Sequence, residues 1–216
     1  MAVQRRLAAR VEERPLPRPV RLVAGVDAAF AAEDARCIAG VVLWDVAART
    51  VVEHHVAIRP LTFPYIPGLL SFREAPAVLA ALRKLRARPD VVMCDGHGLA
   101  HPRRFGLACH VGLVTGLPTV GCAKSRLIGS HETPGRGRGA RVPLRHDGEV
   151  IGSVLRTQTG VRPLFISVGH RIDLAGAEAV VLACATRYRL PEPTRRADGI
   201  VAAARRRFLD SPTPRG

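Results

Sequence analysis

Three apolar runs rich in β-branched residues open the folded part of the chain: RLVAGVDAAF over 21–30, RCIAGVVLWDV over 36–46 and TVVEHHVAI over 50–58. Short polar or turn-forming segments separate them, which predicts an antiparallel meander. After a Pro-rich loop comes SFRE, whose Ser71 and Glu74 fit a capping box. Ala77, Val78, Ala81, Leu82 and Leu85 then recur at helical spacing, so a helix is predicted from about Ser71. PDVVMCDG over 89–96 reads as a buried strand ending at Asp95, followed by a helix over about 103–115 and the strand PTVGCAKS over 118–125. This β-α-β alternation predicts a parallel section of sheet.

The stretch GSHETPGRGRGARVPLRHDGE over 129–149 is basic and rich in Gly and Pro, and a mobile loop is expected there. Strands over about 149–157 and 164–169, a helix over about 173–188 and an Arg-rich helix over about 194–208 follow, with a frayed tail at 209–216. The expected fold is α/β: a mixed sheet, antiparallel meander plus parallel strands, with helices on both faces. One domain over 1–216 is expected, with 1–20 as an N-terminal extension. In such sheets ligands bind beyond the carboxyl ends of the parallel strands.

Composition narrows the function. The chain is 47% hydrophobic, so it has the means to build a core and is not of disordered composition. No apolar run is long enough to span a membrane, and the N-terminus lacks the apolar segment of a signal peptide. The five cysteines are scattered without a CxxC, which points to neither zinc nor a disulfide framework and fits a reducing cytoplasm. The net charge of +15 points to a polyanionic partner, nucleic acid first.

Several residues stand out against this background. Asp27 interrupts an apolar strand, and Asp95 ends another just before GHG. Each alone reads equally as a turn or strand-end aspartate. If their strands are neighbours, the two carboxylates meet and repel unless a cation joins them. An oxygen-only ligand set suits Mg²⁺, with Mn²⁺ as an alternative. Glu74 stands between two roles, the capping box and a cation site. Lys124 ends VGCAK and is one of only two lysines among 33 basic residues. A compact ammonium there suits a scissile phosphate, or simply reaches solvent. His170 closes LFISVGH, while His97 and His101 flank the loop after Asp95; structural roles weigh equally for all three. Tyr65 stands in PYIPG between Pro64 and Pro67, beside Ile66. A rigid loop of this kind either packs on the core or wedges between bases, with Gly68 and Leu70 then lining a space for an extruded base.

GVDAAF, PYIPGLLSFRE, DVVMCDGHGLAHPRRFGLACHVG, PTVGCAKSRLIG and SVGHRIDL, spread in order over 24–174, together resemble the endonuclease V family, inosine-directed nucleases of RNase H-like fold. The resemblance implies that Asp27 and Asp95 bind the cation, that Glu74 is the third carboxylate, and that Lys124 and His170 belong to the active site. It implies that Tyr65, with Pro64, Ile66 and Pro67, forms the strand-separating wedge. Gly68, Leu70, Gly96, Gly106 and Leu127 would form the hypoxanthine pocket, and His101 and Ser125 are candidates for phosphate contact. The implied activity is Mg²⁺-dependent cleavage of the second phosphodiester bond 3′ to inosine in DNA, leaving 3′-hydroxyl and 5′-phosphate ends. Single-stranded RNA is a further candidate substrate, and a monomer is the default state. Two rival readings are a structure-specific RNase H-like nuclease such as a junction resolvase, and a non-catalytic nucleic-acid-binding protein. Clustered acids argue against the second, because carboxylates beside phosphates weaken binding.

Overall fold

The computed structural model describes residues 2–31 and 35–210. Eight strands form one mixed sheet. The meander is present as β1 (Leu22–Ala31), β2 (Arg36–Asp45) and β3 (Thr50–Pro60), paired antiparallel. Helix α2 (Leu70–Leu82) leads to β4 (Val91–Cys94), which lies parallel to β1; α3 (Leu107–Thr115) leads to β5 (Thr119–Ala123), parallel to β4. The chain then turns back through β6 (Arg141–His146), β7 (Glu149–Leu155) and β8 (Leu164–His170), all antiparallel, with β8 against β5. The strand order is β3-β2-β1-β4-β5-β8-β7-β6. A short helix, α1 (Ala2–Ala8), lies in the segment read as an extension, and α4 (Leu174–Cys184) and α5 (Glu192–Asp210) complete the chain.

The central strands read as continuous apolar runs because both their faces are covered. Ala24, Val26 and Val92 pack with Ala77, Val78 and Ala81 of α2 and Val111 of α3 on one face. Val23, Met93 and Val120 pack with Ala177, Val180 and Val181 of α4 on the other. Each fully buried Val, Ile or Leu contributes roughly 1.5–3 kcal/mol over an exposed one, so the middle of the sheet holds the fold. Edge strand β3 alternates between half-buried and exposed positions, as a strand with one solvated face should.

Helix α5 lies on β1 and β2 at unusually close range. A Cβ on Gly25 would run into the backbone of Pro193, and one on Gly40 would meet the side chains of Val201 and Ile200. Two small residues on the sheet therefore fix the height and rotation of the last helix.

Three expectations need correction. The capping box does not form: Leu69 is the N-cap of α2 without a side-chain cap bond, and Ser71 is buried in the first turn. The stretch 129–149 is not loop throughout. Its second half is β6, joined to β7 through Asp147 and Gly148, both at positive φ (54° and 79°), a backbone that a tight Asp-Gly hairpin turn requires. Its first half is held by buried Arg156, which donates to the carbonyls of Gly135 (2.6 Å), Pro134 (3.1 Å) and Val161. The helix expected from 103 begins only at Leu107, because the preceding loop crosses the sheet and bonds to it, Leu99 N–H donating to Val168 O at 2.8 Å. In the expected frayed tail, residues 209–210 complete α5, and 211–216 lie outside the described residues.

Candidate functional site

The parallel register of β1 and β4 pairs Val26 with Cys94. The next residues, Asp27 and Asp95, therefore emerge side by side, and Asp95 N–H donates to Val26 O at 3.1 Å. Lys124 directly follows β5, the next parallel strand, so three adjacent strands deliver all three side chains to one end of the sheet. A fourth group comes from the other end of the sequence: α5, seated on Gly25 and Gly40, carries Asp198 into the same place. Carboxylate oxygens of Asp27, Asp95 and Asp198 all lie within 4.8 Å of one another. Lys124 Nζ stands 2.5 Å from Asp95 Oδ2 and 3.7 Å from Asp198 Oδ1.

The electrostatics is that of crowded acids. Burial, then the charge of Asp95, pushes the Asp27 carboxyl up to about 7. Burial, then Asp27 and Asp95, pushes Glu74 up to about 8, which places this α2 side chain within the field of the same cluster. Burial alone would lower the Lys124 pKa, but its hydrogen bond to Asp95 and the charges of Asp95, Asp198 and Asp27 hold it above its ordinary value. One ammonium does not neutralise four acids. An all-oxygen donor set with an unmet need for positive charge fits a hard divalent cation.

His170 does not join this cluster. It ends β8, and the antiparallel pairing places it opposite Thr119 at the start of β5, whereas Lys124 follows the far end. At ~3.3 Å per residue the two ends of β5 are roughly 15 Å apart. His170 is buried, and its Nδ1 accepts a hydrogen bond from Glu12 N–H at 3.2 Å. Strand direction is the reason: the carboxyl end of a strand antiparallel to β5 opens at the opposite end of the sheet. His101 is likewise inward-facing, 6% exposed. Its Nδ1 accepts from Arg103 N–H at 3.2 Å. Burial and the Arg103 charge push its pKa down to about 4, which favours a neutral ring there. Ser125 is exposed beside Lys124, and burial pushes the pKa of nearby His97 down to about 4.

Asp198 escaped the sequence reading because it lies in an Arg-rich helix read for its charge. The available signal was an aspartate between Ala197 and Val201, both of which prove to be fully buried. Such an acid sits at the border of the buried stripe, facing the sheet.

Tyr65 is 69% exposed on the loop before α2. The Arg73 guanidinium lies 5.7 Å from its ring centroid and 4.9 Å from that of Phe30. Arg73 is the neighbour of Glu74, so the projecting ring is tied to the turn that carries an acid of the cluster. Pro64 and Pro67 are exposed and Ile66 is half-buried. Gly68 ends this loop at φ +76°. Gly106 is the buried N-cap of α3, and Gly96 directly follows Asp95. Leu70 (41% exposed) and Leu127 (51% exposed) present apolar surface, on α2 and on the loop after β5.

The sequence profile of the Endonuclease V family matches residues 5–199. The Endonuclease V of Roseiflexus castenholzii is 53% identical over 203 residues, 94% of this chain and 90% of that protein. The crystal structure of Endonuclease V from Streptomyces avermitilis superposes with a TM-score of 0.92 at 48% identity, covering 96% of this chain and 92% of the other. A Ciona intestinalis Endonuclease V, in complex with a 24mer DNA containing an inosine followed by a ribo-adenosine, shares the fold with a TM-score of 0.81 at 24% identity, covering 96% of both chains.

Proposed function

The chain belongs to the Endonuclease V family and is a nuclease, and from that premise we propose that it is a Mg²⁺-dependent endonuclease that recognises deaminated adenine in DNA. Cleavage would fall at the second phosphodiester bond 3′ to the inosine and leave 3′-hydroxyl and 5′-phosphate ends. The observation that carries the reading is the convergence of Asp27, Asp95 and Asp198 with Lys124 at the carboxyl ends of adjacent parallel strands. The fold shared with a relative bound to inosine-containing DNA fits the choice of lesion.

Asp27, Asp95 and Asp198 would hold the cation, with Glu74 beside them. A bound Mg²⁺ supplies Lewis-acid activation of water and offsets charge on the reacting phosphate. Glu74 accepts a hydrogen bond from the attacking water and orients it. Lys124 Nζ leaves Asp95 to donate to a phosphate oxygen, a stabilisation strongest where charge develops. Tyr65 fills the gap left by the extruded base. Gly68, Leu70, Gly96, Gly106 and Leu127 receive that base, and hypoxanthine fits where the exocyclic amine of guanine would be left unpaired.

We further place the protein in the cytoplasm as a monomeric single domain. All five cysteines are buried free thiols, as suits a reducing compartment. Among the described residues no helix is long and apolar enough to cross a membrane. The decisive experiment is a strand-product gel with inosine-, uracil- and mismatch-bearing duplexes, with and without Mg²⁺. Asp95→Ala is expected to retain binding and lose cutting. Cutting that requires branched DNA and ignores inosine would overturn the reading.

A further inference from the structure

Gln4 lies in the seven-residue helix α1, close to the start of the chain, yet it is 1% exposed. Its Nε2 donates to two backbone carbonyls, Gly68 O at 3.1 Å and Phe105 O at 2.9 Å. Its Oε1 accepts from Arg103 Nε. Arg103 Nη2 in turn donates to Gly68 O at 2.5 Å. Both donors and the acceptor of the amide are thereby used, and the Gly68 carbonyl accepts from Gln4 and from Arg103.

The two carbonyls belong to different walls. Gly68 ends the loop that carries Tyr65, while Phe105 immediately precedes Gly106 at the start of α3. A single planar NH₂ group that bonds both carbonyls sets the distance between these walls. Anchoring a short helix needs none of this, since an apolar side chain would hold α1 in place without burying an amide. We propose that Gln4 is a positioning residue that sets the width of the base pocket and thereby the preference for hypoxanthine over guanine. The inference rests on the assignment of Gly68 and Gly106 to that pocket. Guanine differs there by one amine, so a wall that relaxes outward admits it.

The test uses the full chain with Mg²⁺. Single-turnover cutting is measured on two duplexes that differ only in inosine or guanine at one position, for wild type, Gln4→Met and Gln4→Ala. The quantity read is the inosine-to-guanine rate ratio, which does not depend on how much of the sample is folded. Loss of the amide bonds is expected to lower this ratio about 3- to 10-fold. An unchanged ratio, even with a lower melting temperature, overturns the proposal and leaves Gln4 as an anchor for α1 alone. If the Gln4 variants do not fold, Arg103→Met removes its own bonds to Gln4 and Gly68. The same ratio is then read on that variant: a drop supports the proposal and an unchanged value overturns it. A wild-type protein that does not prefer inosine sinks the proposed function itself, and this inference with it.

Discussion

Lys124 Nζ occupies the ground between Asp95 Oδ2, at 2.5 Å, and Asp198 Oδ1, at 3.7 Å. A divalent ion held by the same oxygens must share or take that ground. Lys124→Met is therefore expected to lower the Mg²⁺ concentration for half-maximal nicking, because a competitor is gone. The maximal rate should fall by about 10²–10³-fold, because a donor to the reacting phosphate is gone as well. A Mg²⁺ titration of single-turnover nicking reads both quantities. Opposite movements of affinity and rate do not arise from partial unfolding, so a rise in the half-saturating concentration would remove Lys124 from this role.

Asp198 and His170 should separate cleanly. Asp198→Asn removes a charge from the cluster and is expected to raise half-saturating Mg²⁺ by about tenfold, with little change in melting temperature without metal. His170→Ala empties a buried site at the other end of the strands. It should lower stability by roughly 1–3 kcal/mol and leave Mg²⁺ affinity alone. Calorimetric Mg²⁺ titration and thermal melts on both variants settle the contrast.

The raised carboxyls of Asp27 and Glu74 make stability depend on pH in a definite direction. Unfolded, they titrate near their ordinary values; folded, near about 7 and about 8. The native state binds the extra protons, so their contribution is fully present below the ordinary carboxylate values and is lost progressively until pH passes about 7 for Asp27 and about 8 for Glu74. A cation reverses that loss by replacing the protons. The melting-temperature gain from Mg²⁺ over EDTA should thus be small near about pH 5.5 and large near about pH 8.5. His97 and His101, both pushed down to about 4, act in the opposite sense, but equally with and without metal, so the difference isolates the carboxyls. A gain that is flat with pH would show that these groups do not meet the ion.

Tyr65 is exposed and holds little of the fold, so Tyr65→Ala should change stability by no more than about 0.5 kcal/mol. Base stacking on an aromatic ring is worth about 1–3 kcal/mol, which predicts a loss of roughly 5- to 150-fold in cutting duplex inosine substrates. Single-stranded inosine substrates, with no partner strand to hold apart, should lose much less. Equal losses on both would deny the ring its role as a wedge.

The legible part of this protein was what period and strand ends reveal. Alternating and continuous apolar runs marked β1 to β5, and the parallel placement of β1 and β4 made Asp27 and Asp95 neighbours. Other features stayed hidden for identifiable reasons. The Gly- and Arg-rich composition of 129–149 masked an Asp-Gly hairpin, because a short edge strand such as β6 buries little and alternates weakly. Strand direction, which local pattern does not encode, decided that His170 faces away from the acids. Asp198 depended on how closely a helix approaches the sheet, a matter of Gly25 and Gly40 and of no motif around the aspartate itself. Gln4 was invisible because a buried amide shows only through partners far along the chain.

The seating of α5 on the sheet has a consequence for truncated forms of the protein. Asp27 and Asp95 follow from the pairing of β1 with β4, but the carboxylate that completes their cluster is carried by α5 at residue 198. A chain cut short before α5 keeps the two strand aspartates and lacks the third, so its acidic cluster is unfinished.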